Sequence, residues 1–290
     1  MITLDAAQLD AAQLDAYCAR LGIAAPPSPT LEALDAVLGA QLASIPFENI
    51  DPLLRRPVSI DLDAVFDKLV TRGRGGYCFE LNTLLAAALG AFGFSVTPLA
   101  ARVRWGVPDG VETVASHMLL RVEVAHRSYL ADVGFGGPTP FRAMALSTPA
   151  DDDFPYRLAS SPPEAAGSAF HSFDLEARGA AGWIKVYRFD LTPQPWIDFG
   201  PRNWYVSTHP DSVFLRRLTA ARTVGGTRVT LADGDLGERA PDGSVRRQRL
   251  ETPEAVVQVL DERFGIRLDD ALRHGLMAAL PPLLAASAHA

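Results

Sequence analysis

The hydrophobic positions change their period part-way along the chain. In the first third they recur at helical spacing. Leu31, Leu34, Leu38 and Leu42 fall on one stripe after the Pro26–Pro29 punctuation. A further helix is predicted from Asp61, with Val65, Phe66 and Leu69 turned inward. Another begins near Tyr77–Cys78, behind Gly75–Gly76, and carries Leu81, Leu84, Leu85, Ala88 and Leu89. The chain opens on a duplication in which Asp5–Leu9 (DAAQL) recurs as Asp10–Leu14. A period of five turns a helix by about 500°, so Leu4, Leu9 and Leu14 do not share a face. The duplication lengthens a first helix and carries no chemistry.

From Phe94 the period becomes that of strands. Val96–Trp105 and Met118–Val124 fit it, the second with Met118, Leu120, Val122 and Val124 alternating with His117, Leu119, Arg121 and Glu123. Ala125–Ser128 is a polar break, Tyr129–Val133 a returning strand, and Gly134–Pro138 a loop. Ser147–Ser168, rich in Pro, Asp, Ser and Ala, predicts a long irregular connection. Trp183–Leu191 resumes a strand and ends in the Pro-rich Thr192–Trp196. The last third combines hairpin turns at Asp233–Gly234 and Asp242–Gly243 with two helices. One is capped at Thr252-Pro253-Glu254 and the other starts at Asp269; the apolar run after Pro281 is expected to fray. Helices, then antiparallel strands, then a mixed tail predict an α+β fold rather than a doubly wound sheet.

Composition then removes whole classes of function. The chain has 290 residues, with Lys+Arg 27 against Asp+Glu 34 and a net charge of −7. That acidic balance argues against a nucleic-acid partner, and 48% hydrophobic with 21% charged residues argues for a folded chain. Asp5 and Asp10 stand where a secretion signal needs a basic and then an apolar run. Apolar segments such as Leu81–Leu89 are interrupted by Asn82 and Thr83, and fall short of the roughly 18 residues of a membrane span. A cytoplasmic protein with reduced thiols and no membrane association is expected. Its two cysteines, Cys18 and Cys78, cannot build a disulfide framework or a cysteine-rich zinc site. No two histidines stand at i, i+4, so no metal is expected.

One of those cysteines has a setting suited to chemistry. Cys78 follows Arg72-Gly73-Arg74-Gly75-Gly76-Tyr77 at the predicted start of a helix. A helix N-terminus and nearby arginines both favour thiolate over thiol, and the glycines allow close backbone approach to a substrate. Cys18, in an Ala-rich helix, reads as packing. A nucleophilic cysteine needs a base, and the base needs an orienting acid. Of the six histidines (His117, His126, His171, His209, His274 and His289), His126 falls in a turn and His289 in the tail. His117 opens a strand. A two-residue turn at Ala125–His126 would pair Val124 with Arg127 and place Asp132 diagonal to His117, at roughly 7–8 Å between backbones. A four-residue turn, Ala125–Ser128, keeps the parity but moves the two apart. A half-buried strand histidine and a loop-capping aspartate are the alternative roles. Gly134-Phe135-Gly136-Gly137 lacks the Lys-Ser/Thr of a nucleotide loop. It reads as a turn, or as a place where backbone amides meet phosphates.

With these residues assembled, the chain resembles the arylamine N-acetyltransferase family. The resemblance is carried by Ser44–Asp51 (SIPFENID), Arg72–Asn82 (RGRGGYCFELN), Ser116–Leu120 (SHMLL), Tyr129–Gly136 (YLADVGFG) and Asn203–Phe214 (NWYVSTHPDSVF), in family order. It implies a helical bundle over 1–93, an antiparallel β-barrel over 94–200 and an α/β lid over 201–290, around a cysteine-protease-like triad. It implies Cys78 as nucleophile, His117 as base and proton shuttle, and Asp132 as the residue orienting His117. The activity implied is ping-pong transfer of acetyl from acetyl-CoA to an aromatic amine or hydrazine, without a metal. Family CoA contacts correspond to Trp105, Ser116, Gly134, Phe135, Gly136 and Phe214, and acceptor-pocket walls to Phe47, Phe79 and Phe135. Core packing is the competing role for these, above all for Phe47 and Phe79. An amide synthase, joining a carrier-bound polyketide chain to an aromatic amine with the same triad, is the main alternative. A Cys-His-Asp hydrolase or transglutaminase-like enzyme is the further one.

Overall fold

The computed structural model describes residues 7–26, 28–147, 153–161, 171–179, 181–240 and 244–287. Helix α1 (Ala11–Leu21) starts at the second copy of the duplication. The Asp10 carboxylate accepts from Gln13 N while the Gln13 side chain accepts from Asp10 N, a reciprocal cap. Helix α2 (Leu31–Ser44) is capped by Thr30. Strand β1 (Phe47–Glu48), helix α3 (Ile50–Leu53) and helix α4 (Leu62–Phe66) follow, and α4 runs into one π-helical turn over Asp67–Thr71. Helix α5 (Cys78–Ala91) is buried over nearly its whole length, polar Glu80 and Asn82 included. It forms the spine of the first hydrophobic core.

Strands β2 (Ser95–Val103), β3 (His117–Val124), β4 (Arg127–Ala131), β5 (Met144–Ala145), β6 (Tyr156–Ser161), β7 (Ser172–Gly179) and β8 (Gly182–Phe189) make one antiparallel sheet. Its order is β5-β4-β3-β2-β8-β7-β6, rolled into a nearly closed barrel. The β3–β4 connection is the shorter of the two turns considered. Ala125 and His126 take φ of 47° and 63°, and Val124 pairs with Arg127. Two left-handed residues are what a type I′ hairpin requires. Helix α6 (Phe199–Thr208) then leads to β9 (Thr219–Val224), β10 (Thr227–Ala232), β11 (Asp235–Arg239), β12 (Val245–Arg249), α7 (Pro253–Glu262) and α8 (Asp270–Ser287). The second sheet has the order β1-β9-β10-β11-β12, so its first strand comes from the N-terminal segment. Ile50 and Leu53 of α3 likewise sit in the core beneath this sheet.

Two expectations are corrected. The stretch expected to be an irregular connection, 147–168, contains β6, which pairs with β7, a strand whose sequence also gave no clear signal. Strand preference here comes from pairing, Tyr156 to Ala177 and Leu158 to Leu175, more than from intrinsic propensity. The C-terminal run does not fray at Pro281: α8 continues through Pro281 and Pro282 to Ser287. Leu280 and Leu284 are buried, and Arg249 Nη2 donates to Leu284 O at 2.7 Å, so packing outweighs the missing proline N–H groups. The Asp242–Gly243 turn, His289 and Asp5 lie outside the described residues. Among the described residues no helix is long and apolar enough to cross a membrane.

Candidate active site

The loop before α5 is built to press against protein. Glu48 N donates to Gly76 O at 2.9 Å and Gly76 N to Pro46 O at 3.3 Å. A Cβ on Gly75 would stand 2.3 Å from Pro46 O, so only glycine allows this approach. Beneath the loop lies a buried charge network. Arg74 bonds Glu48 Oε1 at 2.7 Å and Asp51 Oδ2 at 3.2 Å, and Lys68 bonds Asp51 at 2.7 Å and Glu80 at 2.6 Å. Glu80 in turn accepts from Tyr77 N at 3.1 Å, fixing the first turn of α5. Burial opposes the charge of Lys68, but Glu80, Glu48 and Asp51 together raise its pKa above the ordinary lysine value. The arginines expected to act on Cys78 are therefore engaged elsewhere: Arg74 in this network, Arg72 with Asp67 at 2.8 Å. A guanidinium already neutralised by carboxylates has little field left for a neighbouring sulfur.

What faces Cys78 is the His117 imidazole and, at 3.8 Å from Sγ, the Ser116 carbonyl. His117 opens β3, and its Nε2 meets Asp132 Oδ2 at 2.8 Å, with both side chains buried. That leaves Nδ1 for the thiol. Asp132 lies just past β4, and each of its oxygens has two donors. Oδ2 also accepts from Tyr187 O–H at 2.9 Å; Oδ1 accepts from Asn82 Nδ2 at 3.0 Å and Gly134 N at 2.8 Å. Burial opposes the Asp132 charge, but His117, Asn82 and Gly134 hold its pKa below the usual aspartate value. Burial likewise pushes His117 down, while the Asp132 carboxylate and a charged Cys78 sulfur raise it to about 10. The pair is thus a buried imidazolium–carboxylate at neutral pH.

A model of the N-acetyltransferase family matches residues 30–273. The arylamine N-acetyltransferase of Mycolicibacterium smegmatis is 38% identical over 275 residues, 92% of this chain and 97% of that one. The chain belongs to this N-acetyltransferase family. Among solved structures, the arylamine N-acetyltransferase of M. tuberculosis superposes with a TM-score of 0.84 at 37% identity, covering 94% of this chain and 100% of that one. The Mycobacterium marinum enzyme, solved in complex with CoA, also gives 0.84, at 34% identity over 93% of this chain and 98% of its own.

In this acetyltransferase fold two polar residues join the site that the sequence reading had not assigned. Asn82 stands one helical turn after Cys78 and bonds Asp132, Met118 O (2.7 Å) and, through Oδ1, Val133 N (3.2 Å). Their i, i+4 spacing on one helix was the available signal. Tyr187 comes from β8, 55 residues from Asp132, and its ring lies 4.9 Å from His117. Only the register of β2 between β3 and β8, with Ala101 opposite both His117 and Phe189, brings it there.

The remaining candidates divide. A Cβ on Gly134 would lie 2.6 Å from Cys78 Cα, and its N–H is taken by Asp132, so this glycine serves close packing and is not a free amide for phosphate. Phe135 sets its ring edge-on to His117 at 5.2 Å. Gly136 packs on the Phe47 ring, which contacts Phe214 at 5.9 Å, and Phe214 contacts Tyr77 at 5.6 Å. Phe79 is fully buried against Tyr77 and Phe199, a core position. Trp105 is 41% exposed on the turn after β2. Among the described residues no three His, Cys, Asp or Glu side chains gather as a metal site.

Proposed function

We propose that the protein is an acetyl-CoA-dependent arylamine N-acetyltransferase working through an acetyl-Cys78 intermediate. The observation that carries this reading is the buried relay in which His117, facing the Cys78 thiol, holds Asp132 at 2.8 Å. An imidazolium beside a cysteine sulfur favours thiolate, the nucleophilic form. The thiolate attacks the acetyl carbonyl carbon, a new S–C bond forms, and the bond from acetyl to the CoA sulfur breaks. The departing CoA sulfur takes the proton from His117 Nδ1. In the second half the acceptor amine attacks the same carbon, an N–C bond forms and the Cys78 S–C bond breaks. The amine proton passes to His117, which restores the starting ion pair. Asp132 stays charged throughout, because four donors stabilise its anion.

Aromatic amines or hydrazines are the acceptors, with Phe47 and Phe135 as walls. Ser116, Phe135, Gly136, Phe214 and Trp105 meet the CoA donor. Family membership and the CoA complex of the M. marinum relative support this assignment. The segments 1–93, 94–200 and 201–290 act as one catalytic body: the first supplies Cys78, the second His117 and Asp132, the third closes over them. The two cysteines carry free thiols, which supports a cytoplasmic enzyme.

The test is intact-mass spectrometry with acetyl-CoA and no acceptor, followed by peptide mapping. One acetyl group on Cys78, released as an N-acetyl product on adding an aniline, is the expected result. Label on Cys18, or no label, would reject the reading.

A further inference from the structure

Arg228, on β10, extends from the C-terminal sheet to the catalytic loop and is only 9% exposed. Its Nη2 donates to Phe135 O at 2.8 Å and its Nη1 to Thr223 Oγ1 at 2.9 Å; Nε has no partner. Among the described residues no carboxylate forms an ion pair with it. Burial lowers its pKa to about 10, against the opposing pull of Tyr156 and Asp132. A buried cation with no counter-ion and an unmet N–H destabilises a fold, and an uncharged side chain of similar volume would avoid that cost. Stability therefore does not explain the residue.

Its hydrogen-bond partner does. The Phe135 carbonyl accepts from Thr139 Oγ1 as well, at 2.8 Å, so two donors hold that peptide. The Phe135 ring lies edge-on to both His117 (5.2 Å) and Tyr187 (5.5 Å), and the preceding residue donates its N–H to Asp132. We propose that Arg228 is a positioning residue for the triad, clamping the Phe135 peptide to the C-terminal sheet and so fixing the wall on which the His117 ring rests. The proposal rests on the triad reading given above. Around His117 the ionisable groups are Cys78 on α5, Asp132 after β4 and Tyr187 on β8, with Arg228 behind the loop.

The test compares Arg228→Met and Arg228→Lys with the wild-type full chain by three readouts. These are the thermal midpoint, the maximal rate and KM of Cys78 acylation by acetyl-CoA, and titration of the His117 imidazole nitrogens by NMR. For Arg228→Met the midpoint should hold or rise. The maximal acylation rate should fall about ten- to a hundredfold, the scale of a misplaced catalytic group, with KM little changed. The His117 titration should move to higher pH, because the positive charge that acts on the His117–Asp132 pair through Asp132 is gone. Arg228→Lys should restore the titration and only part of the rate, since one ammonium cannot reproduce the planar guanidinium. A lower midpoint or failure to fold in Arg228→Met would overturn the proposal. So would a rate within about twofold of wild type per folded molecule, or a raised KM at unchanged maximal rate. If acetyl-CoA does not acylate the wild type but the midpoint and titration behave as described, the functional reading fails and the positioning role stands.

Discussion

Asp132 receives four hydrogen bonds, and their polarity decides what it can do. Every partner is a donor, so a carboxylate fits and an amide does not: Asp132→Asn turns an NH2 toward other donors. Acylation of Cys78 by acetyl-CoA should fall by roughly 10⁴-fold, the scale seen when an acid that sets a histidine tautomer is replaced by its amide. Rapid-quench mass spectrometry checks this, and a near-wild-type rate would reject the orienting role. The same substitution has a pH signature. His117 has a folded pKa of about 10, above the unfolded value of about 6.5. The stability it contributes is therefore fully present below pH ~6.5 and is lost as pH rises through about 10. Asp132, with its folded pKa depressed, contributes stability that is present above the ordinary aspartate pKa and is lost as pH falls from there toward its folded pKa. The thermal midpoint of the wild type should decline between pH 7 and 10. In Asp132→Asn it should start lower and decline less steeply, because the group that raises His117 is gone.

At the level of the element, α5 is held by charge where its sequence shows mainly apolar residues. Lys68 sits between Asp51 and Glu80, almost fully buried. Lys68→Met would leave the buried Glu80 carboxylate without its cation while Asp51 keeps Arg74, a loss of about 3–5 kcal/mol by analogy with broken buried ion pairs. Urea unfolding should show that loss, and the double variant Lys68→Met/Glu80→Gln should recover part of it. A single-variant loss under about 1 kcal/mol would mean that solvent reaches the network. The Gly75–Gly76 signal in the sequence was correct about close approach. Its target is the Pro46–Glu48 backbone, because the residues before α5 lie against β1.

For the whole molecule, the layers are interleaved in the chain. β1 and α3 belong to the C-terminal sheet and its core, while Phe199, Val206 and Ala221 pack in the first core. A chain ending at residue 200 would leave Phe47, Ile50 and Leu53 without their partners. Such a fragment should lack a cooperative thermal transition by circular dichroism; a native-like transition would show that the last segment is an independent unit. This interleaving also explains what was legible beforehand. Helical and strand periods revealed α2, α5, β2 and β3, because each buries one continuous face or its whole length. β6 and β7 left no clear period, since their preference arises in pairing.

By itself the sequence determined local features, the cap at Thr252 and a cysteine at a glycine-flanked helix start, and it narrowed the β3–β4 turn to two or four residues with the same parity. Those depend on residues within a few positions of one another. Only the tertiary structure decided which groups surround Cys78. It assigned Asn82 and Tyr187 to Asp132, moved Arg74 from the thiol to Glu48, turned Phe79 into the core and placed Arg228 on the Phe135 carbonyl. The physical reason is that a charge or a hydrogen-bond donor acts on whatever lies within a few ångströms. For the hydrogen-bonding residues among these that neighbour is up to 93 positions away in the chain.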